Sequence, residues 1–149
     1  MKTMLVGFLL LGSAWAVADG GSTQTEPAEV ERLAAAKHAI QSQDWPAAVK
    51  ELKVVVQEEP GNADAHNLLA YSFRKQAKPD LPMAFEHYRK ALKLSPNHKG
   101  AHEYIGEAYL LDHKPAEAAK HLVELQRICG NKTCEEYLDL AKAIAKYKP

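Results

Sequence analysis

Residues 62–73 read Asn-Ala-Asp-Ala-His-Asn-Leu-Leu-Ala-Tyr-Ser-Phe, residues 74–82 Arg-Lys-Gln-Ala-Lys-Pro-Asp-Leu-Pro, and residues 83–97 Met-Ala-Phe-Glu-His-Tyr-Arg-Lys-Ala-Leu-Lys-Leu-Ser-Pro-Asn. His66, Leu69, Ala70 and Phe73 recur at i, i+3, i+4 and i+7, which gathers them on one face of a helix. After the Pro-Asp-Leu-Pro break, Ala84, Tyr88 and Ala91 repeat the pattern. The stretch predicts a helix, a turn and a second helix. Ala70 and Ala84 let the two approach closely, while Leu69, Phe73 and Tyr88 supply apolar area to bury between them. A pair this short leaves its other flank uncovered, so it needs neighbours of its own kind.

The chain provides them. Ala36, Ala70 and Gly106 recur at intervals of 34 and 36 residues, and Ala48, Ala84 and Ala118 at intervals of 36 and 34. The two-residue surplus falls between Ala70 and Ala84, at Lys78-Pro79-Asp80-Leu81-Pro82, so the middle unit has the longer inter-helix turn. The third unit carries His102-x-x-Ile105-Gly106-x-x-Tyr109 and Ala118-x-x-x-Leu122. The second carries His66-x-x-Leu69-Ala70-x-x-Phe73, Ala84-x-x-x-Tyr88 and Pro96, and the first Arg32-x-x-Ala35-Ala36-x-x-Ala39 with Ala48, Leu52, Val55 and Pro60. Period and pattern resemble the tetratricopeptide repeat, whose units read Trp-x-x-Leu-Gly-x-x-Tyr, then Ala-x-x-x-Phe, then Pro. No unit has the opening Trp, and Gly130 stands where the third closing Pro is expected. The resemblance covers Ala28 to Gly130. It implies an all-α, right-handed α-solenoid of three helix-turn-helix units over about 28–61, 62–97 and 98–131, within a domain at 27–149.

The 149 residues suffice for one domain with a sizeable core, and 46% hydrophobic and 26% charged residues are ordinary for a globular chain. Lys plus Arg equals Asp plus Glu at 19 each. No net field recruits nucleic acid or an anionic membrane, which argues against a sequence-independent polyanion binder.

Residues 1–18 have a basic start at Lys2, an apolar run from Met4 to Val17 broken only by Ser13, and small residues at Ala16-Val17-Ala18. These are the regions of a secretory signal peptide, with cleavage after Ala18. The competing reading is an uncleaved anchor, but the run is shorter than the roughly 20 residues a span needs. No Cys follows the cleavage point, which argues against a lipid anchor. Asp19–Glu26, with Gly20-Gly21-Ser22-Thr23, reads as a flexible leader.

Asp44 before Trp45-Pro46 and Asp80 before Leu81-Pro82 are N-caps followed by a first-turn proline, and Lys114-Pro115 has the proline without the Asp. Pro60-Gly61-Asn62 and Ser95-Pro96-Asn97 close the first two units. After the third unit, Thr133-x-x-Glu136 has the form of a capping box, and Tyr137, Leu140, Ala141 and Ile144 follow at helical spacing. They predict a capping helix over 133–147 that covers the exposed end of the array, with Glu135, Asp139, Lys142 and Lys146 outward. Its mixed charges suit that role better than membrane binding.

Cys129 and Cys134 are the two cysteines of the chain. An even count behind a signal peptide reads as a disulfide, worth about 2 kcal/mol by loop entropy. The alternative is a thiol or metal site using these cysteines and nearby histidines. The seven histidines suggest metal ligation through His98 and His102, or through His113. No Cys or carboxylate completes a ligand set, so neither metal nor cofactor is expected. His66 and His102 hold equivalent places and read as packing residues, while His38, His87 and His121 read as solvated.

The sequence carries no nucleophile elbow, phosphate loop or His-Glu-x-x-His motif, so it reads as a non-enzyme. The resemblance implies protein binding along the concave surface formed by the first helix of each unit. On those helices Leu33, Lys37, Ile40 and Gln41, then Asn67, Tyr71, Arg74 and Lys75, then Glu103, Glu107, Leu110 and Leu111 face away from the pair core. The groove then has Lys37, Arg74 and Lys75 as basic residues, Glu103 and Glu107 as acidic ones, and Ile40, Tyr71, Leu110 and Leu111 as apolar anchors. A peptide or helix carrying both charge signs is complementary. The bland alternative is a solvated face, which leaves Leu110 and Leu111 exposed without reason. The family's clamp for acidic chaperone tails needs Lys and Asn where this chain has Leu33, Lys37, Gly100 and Tyr104, so the resemblance does not extend to it. The resemblance implies a scaffold in the bacterial periplasm, as for small secreted repeat proteins that assemble envelope or respiratory complexes; a further alternative is a permanent accessory subunit of an exported enzyme.

Overall fold

The computed structural model describes the backbone of residues 25–149 and side chains from Val30 onward. The signal segment and most of the leader lie outside the described residues. The described chain is seven helices and no strand: α1 Thr25–Gln41, α2 Trp45–Glu58, α3 Ala63–Lys75, α4 Leu81–Leu94, α5 Lys99–Leu111, α6 Pro115–Cys129 and α7 Glu135–Lys146. Pairs α1/α2, α3/α4 and α5/α6 are the three units, and α7 packs on α5 and α6. The result is an all-α solenoid of three repeats with a closing helix. α1 takes in Thr25 and Glu26, which the sequence reading left in the leader.

The breaks arise from local chemistry. Asp44 accepts a hydrogen bond from the Ala47 N–H at 3.1 Å and Asp80 from the Met83 N–H at 3.2 Å, each satisfying an amide that the first turn leaves free. Asn62 does the same for Ala65 at 2.9 Å, and the His98 ring Nδ1 for Ala101 at 3.2 Å. The short turns put Gln43 at φ 58° and His113 at φ 56°, a left-handed conformation that side chains resist. The longer Gln76–Asp80 link avoids it. Gly130, at φ 69°, ends α6 in the conformation glycine favours.

The capping box is not formed. Cys134, not Thr133, is the residue before α7, and it makes no side-chain cap bond. The Thr133 N–H and hydroxyl both donate to Asn131 Oδ1 at 2.9 Å, so the Cys129–Cys134 ring shapes this link instead.

The core runs through the units as a column of small and large residues. Ala36, Ala48, Leu52 and Val55 lead to Leu69, Ala70, Phe73, Ala84 and Tyr88, then to Ile105 and Ala108. At the far end, Leu140 of α7 is fully buried over Gly106. A Cβ on Gly106 would lie 2.6 Å from Leu140 Cδ2, so the closing helix seats where the backbone of α5 is bare. No described helix is long and apolar enough to cross a membrane.

Candidate functional site

The candidate residues lie on α1, α3 and α5, and the structure divides them into a bridge and a set of recesses. Arg74 is the centre of the bridge. It is 8% exposed, with its Nη2 2.7 Å from Glu107 Oε2 and its Nε donating to the Tyr88 hydroxyl at 3.3 Å. Its guanidinium lies 5.2 Å from the Tyr71 ring and 5.6 Å from the Tyr104 ring. Burial works against its charge, and the Tyr88 hydroxyl and Glu107 carboxylate outweigh it, raising its pKa. Arg74 is therefore not the free basic group the sequence reading placed in the groove. Arg74 and Glu107 neutralise each other and tie unit two to unit three.

An aromatic row extends the bridge into unit one. Trp45 meets Tyr71 edge-on at 5.8 Å, Tyr71 meets Tyr104 at 4.7 Å, and Lys75 Nζ sits 5.9 Å from the Trp45 ring and 5.8 Å from Tyr71. Burial raises the pKa of both Tyr71 and Tyr104, Tyr104 to about 12, so both stay neutral donors at ordinary pH. The sequence reading placed neither Trp45 nor Tyr104 in the site. A signal was present: Tyr71 to Tyr104 and Arg74 to Glu107 are both separated by 33 residues, the offset at which successive first helices touch.

Three recesses open beside this row. One of about 320 Å³ is lined by Leu33, Lys37, Asn62, Asp64, Asn67 and Leu68. Asn67 is buried and its Oδ1 has no hydrogen-bond donor among the described residues. A second, about 200 Å³, is lined by Ile40, Gln41, Gln43, Trp45, Tyr71 and Lys75. The third, about 280 Å³, lies between α5 and α7 and is lined by Glu103, Glu107, Asp139, Lys142, Ala143 and Lys146. Glu103 is 8% exposed, and among the described residues its carboxyl has no hydrogen-bond or ion-pair partner. Burial, with Glu107, Asp139 and Glu136 adding repulsion, pushes its pKa up to about 8. Leu110 is buried, whereas Leu111 is 50% exposed.

Four of the histidines form two pairs. His66 and His87 approach Nδ1 to Nδ1 at 2.9 Å, and His102 and His121 repeat this at 2.9 Å. His87 is buried and His121 half-buried, not solvated as the sequence suggested, because the first helix of each unit offers a ring for each to bond. Burial and the neighbouring imidazole bring His87 and His121 down to about 4. His98 caps α5 and bonds Asp64 at 2.9 Å, so it shares no helix face with His102. His113 bonds the Tyr147 hydroxyl at 3.2 Å. Cys129, Cys134 and Glu136 bring potential ligand atoms within 4.8 Å of one another, but the two sulfurs are bonded to each other.

Residues 33–99, the first two units, match the tetratricopeptide repeat family model. A search of curated protein sequences finds no significant relative. Three solved structures share the fold. The TPR2B domain of yeast Sti1, solved in a complex with pHsp70, is 21% identical, with a TM-score of 0.70 over 80% of this chain and 98% of that one. The Arabidopsis OM64 TPR domain is 16% identical, TM-score 0.71, over 82% and 98%. The Yersinia enterocolitica type III secretion translocator chaperone SycD is 15% identical, TM-score 0.70, over 83% and 90%. Residues 33–99 thus match the tetratricopeptide repeat family, and the described chain as a whole shares the fold of tetratricopeptide repeat domains.

Proposed function

We propose that the chain is a non-enzymatic scaffold that holds a segment of another protein along the surface formed by α1, α3 and α5. One observation carries the reading. The recesses along these helices hold a buried oxygen with no donor, Asn67 Oδ1, and the carboxyl of Glu103, a residue only 8% exposed with no ion-pair partner among the described residues. A buried polar atom left unpaired costs about 1–3 kcal/mol, so fold stability alone does not account for Asn67. A bound peptide would satisfy both, with a backbone N–H on Asn67 and a basic side chain on Glu103. Lys37 and Lys75 are exposed and suit an acidic residue between them, while Ile40, Trp45 and Tyr71 give the apolar contact. The similar folds are consistent with this: the yeast Sti1 domain was solved as a pHsp70 complex, and the Yersinia protein is a type III secretion translocator chaperone.

The signal-like segment at residues 1–18 supports a location outside the cytoplasm, in the periplasm of a bacterial envelope. The Cys129–Cys134 pair suits that oxidising compartment. Capture from an envelope extract with the mature chain, comparing wild type with Lys37→Glu, Lys75→Glu, tests the reading. A protein retained by the wild type and lost by the variant supports it. Retention by both places the binding elsewhere. Mass spectrometry of the exported chain tests the start at Asp19 and the two-hydrogen loss of the disulfide.

A further inference from the structure

The second helices enclose a cavity of their own. It measures about 550 Å³ and is lined by Val56 and Gln57 of α2, Pro60, His66 of α3, and His87, Lys90, Lys93 and Leu94 of α4. That volume lies within the roughly 300–1,000 Å³ of ligand-binding clefts. None of its residues belongs to the recesses of the first helices.

The repeat supplies an internal control. One unit further on, Asn97, Glu124 and Arg127 occupy the places of Gly61, Lys90 and Lys93. There Arg127 Nη2 donates to Asn97 Oδ1 at 2.9 Å and its Nε to Glu124 Oε2 at 2.8 Å, which ties α6 to the link between α4 and α5. In the α2–α4 groove the same three positions give two cations and no side chain. Nothing reaches across, and the groove stays open with a cationic rim.

Its polar wall has a definite hydrogen-bond polarity. A carbonyl oxygen only accepts, so His66 Nε2, 3.1 Å from the Pro60 oxygen, must carry the proton. His66 Nδ1 is then the acceptor, and His87 Nδ1 donates to it at 2.9 Å. The remaining nitrogen of His87, Nε2, is left a lone pair on a side chain only 7% exposed and without a partner among the described residues. The wall therefore asks for an N–H or O–H donor. Lys90 Nζ already bonds Glu86 Oε1 at 2.9 Å, so Lys93 is the rim cation that asks for an anion and disfavours a metal ion, while Val56, Pro60 and Leu94 ask for an apolar group. The last residue of a polypeptide offers all three in one unit.

We propose that the α2–α4 groove binds the carboxyl terminus of a polypeptide ending in an apolar residue: the terminal amide N–H on His87 Nε2, the side chain against Val56, Pro60 and Leu94, and the carboxylate on Lys93. The site is independent of the first-helix recesses. The test uses an acetylated Gly-Ser-Ala-Leu-Leu peptide with a free carboxylate and the same peptide as its terminal amide, titrated against the mature chain by calorimetry and amide chemical-shift mapping. The free acid binds about tenfold or more tightly than the amide, since a charged hydrogen bond is at stake, and shifts are centred on His66, His87 and Leu94. Grafting the neighbouring clamp with Gly61→Asn, Lys90→Glu and Lys93→Arg engages the rim cation in the same way and abolishes binding. A Cβ at Gly61 meets nothing within 4 Å, so the backbone tolerates the change. Lys93→Gln, which keeps the fold and the cavity, weakens the acid and leaves the amide unchanged. Equal binding of acid and amide, no binding of either, or unchanged binding by a folded clamp graft overturns the proposal.

Discussion

At the residue scale, charged groups on the first helices divide by what they touch. Arg74 is enclosed by Tyr71, Tyr88, Tyr104 and Glu107, so Arg74→Ala strands Glu107 beside three rings and removes the link between two units. A urea titration should show a loss of about 3 kcal/mol, the range for breaking a buried ion pair. Lys75, exposed over the Trp45 and Tyr71 rings, should change stability by less than about 0.5 kcal/mol when made Ala. Glu103 is the opposite case. Its folded pKa, about 8, lies above the unfolded value, so its effect on stability is most favourable at low pH and is lost as pH rises through about 8. Glu103→Gln should therefore raise stability by more than about 1 kcal/mol at pH 8 and weaken capture of a basic peptide. Stability gained with binding lost is the mark of a group kept for a ligand. The histidine pairs have the reverse sign. His87 and His121 titrate near 4 when folded and near 6.5 when unfolded, so they favour the fold above pH 6.5 and withdraw that support as pH falls toward 4. In the Glu103→Gln background, the unfolding free energy from urea titrations should fall between pH 7 and 4.5 by an amount on the order of 2 kcal/mol per pair.

At the scale of helices and their links, the sequence and the structure agree where chemistry is local. Asp44 and Asp80 are caps because a carboxylate three residues before a free amide bonds it whatever else surrounds the chain. Thr133 fails as a cap because the ring closed by Cys129 and Cys134 sets the chain direction there, and no short pattern encodes that constraint. The left-handed Gln43 was equally hidden, since only the shortness of the Ser42–Asp44 link forces it. Gln43→Gly should relieve about 1 kcal/mol, read as a higher melting temperature. Gly106 lies under Leu140, so Gly106→Ala should overpack the joint and cost about 1–3 kcal/mol, with α7 exchanging its amides faster than α5. Reducing the Cys129–Cys134 bond should cost about 2 kcal/mol and loosen the same helix.

Across the whole molecule, the 34-residue period made the architecture legible from alanines and glycines alone, because each unit repeats one packing problem. The site was legible in part. Alternation along α1, α3 and α5 identified Lys37, Ile40, Asn67, Tyr71, Lys75 and Glu103, all of which line or border a recess. It could not distinguish Arg74 and Glu107, which face each other across units, from side chains free to meet a ligand. Nor could it find the histidine pairs, since each joins residues about 20 positions apart on different helices. Contacts between units depend on the superhelical offset, which a single unit does not reveal. Hydrogen–deuterium exchange of the mature chain, with and without the protein it captures, reports directly on which helices hold the partner. A partner on the first helices protects α3 and α5 around Tyr71, Lys75 and Glu103, and α1 at Lys37 and Ile40. Protection confined to α2, α4 and α6, with the first helices unchanged, rules out that surface.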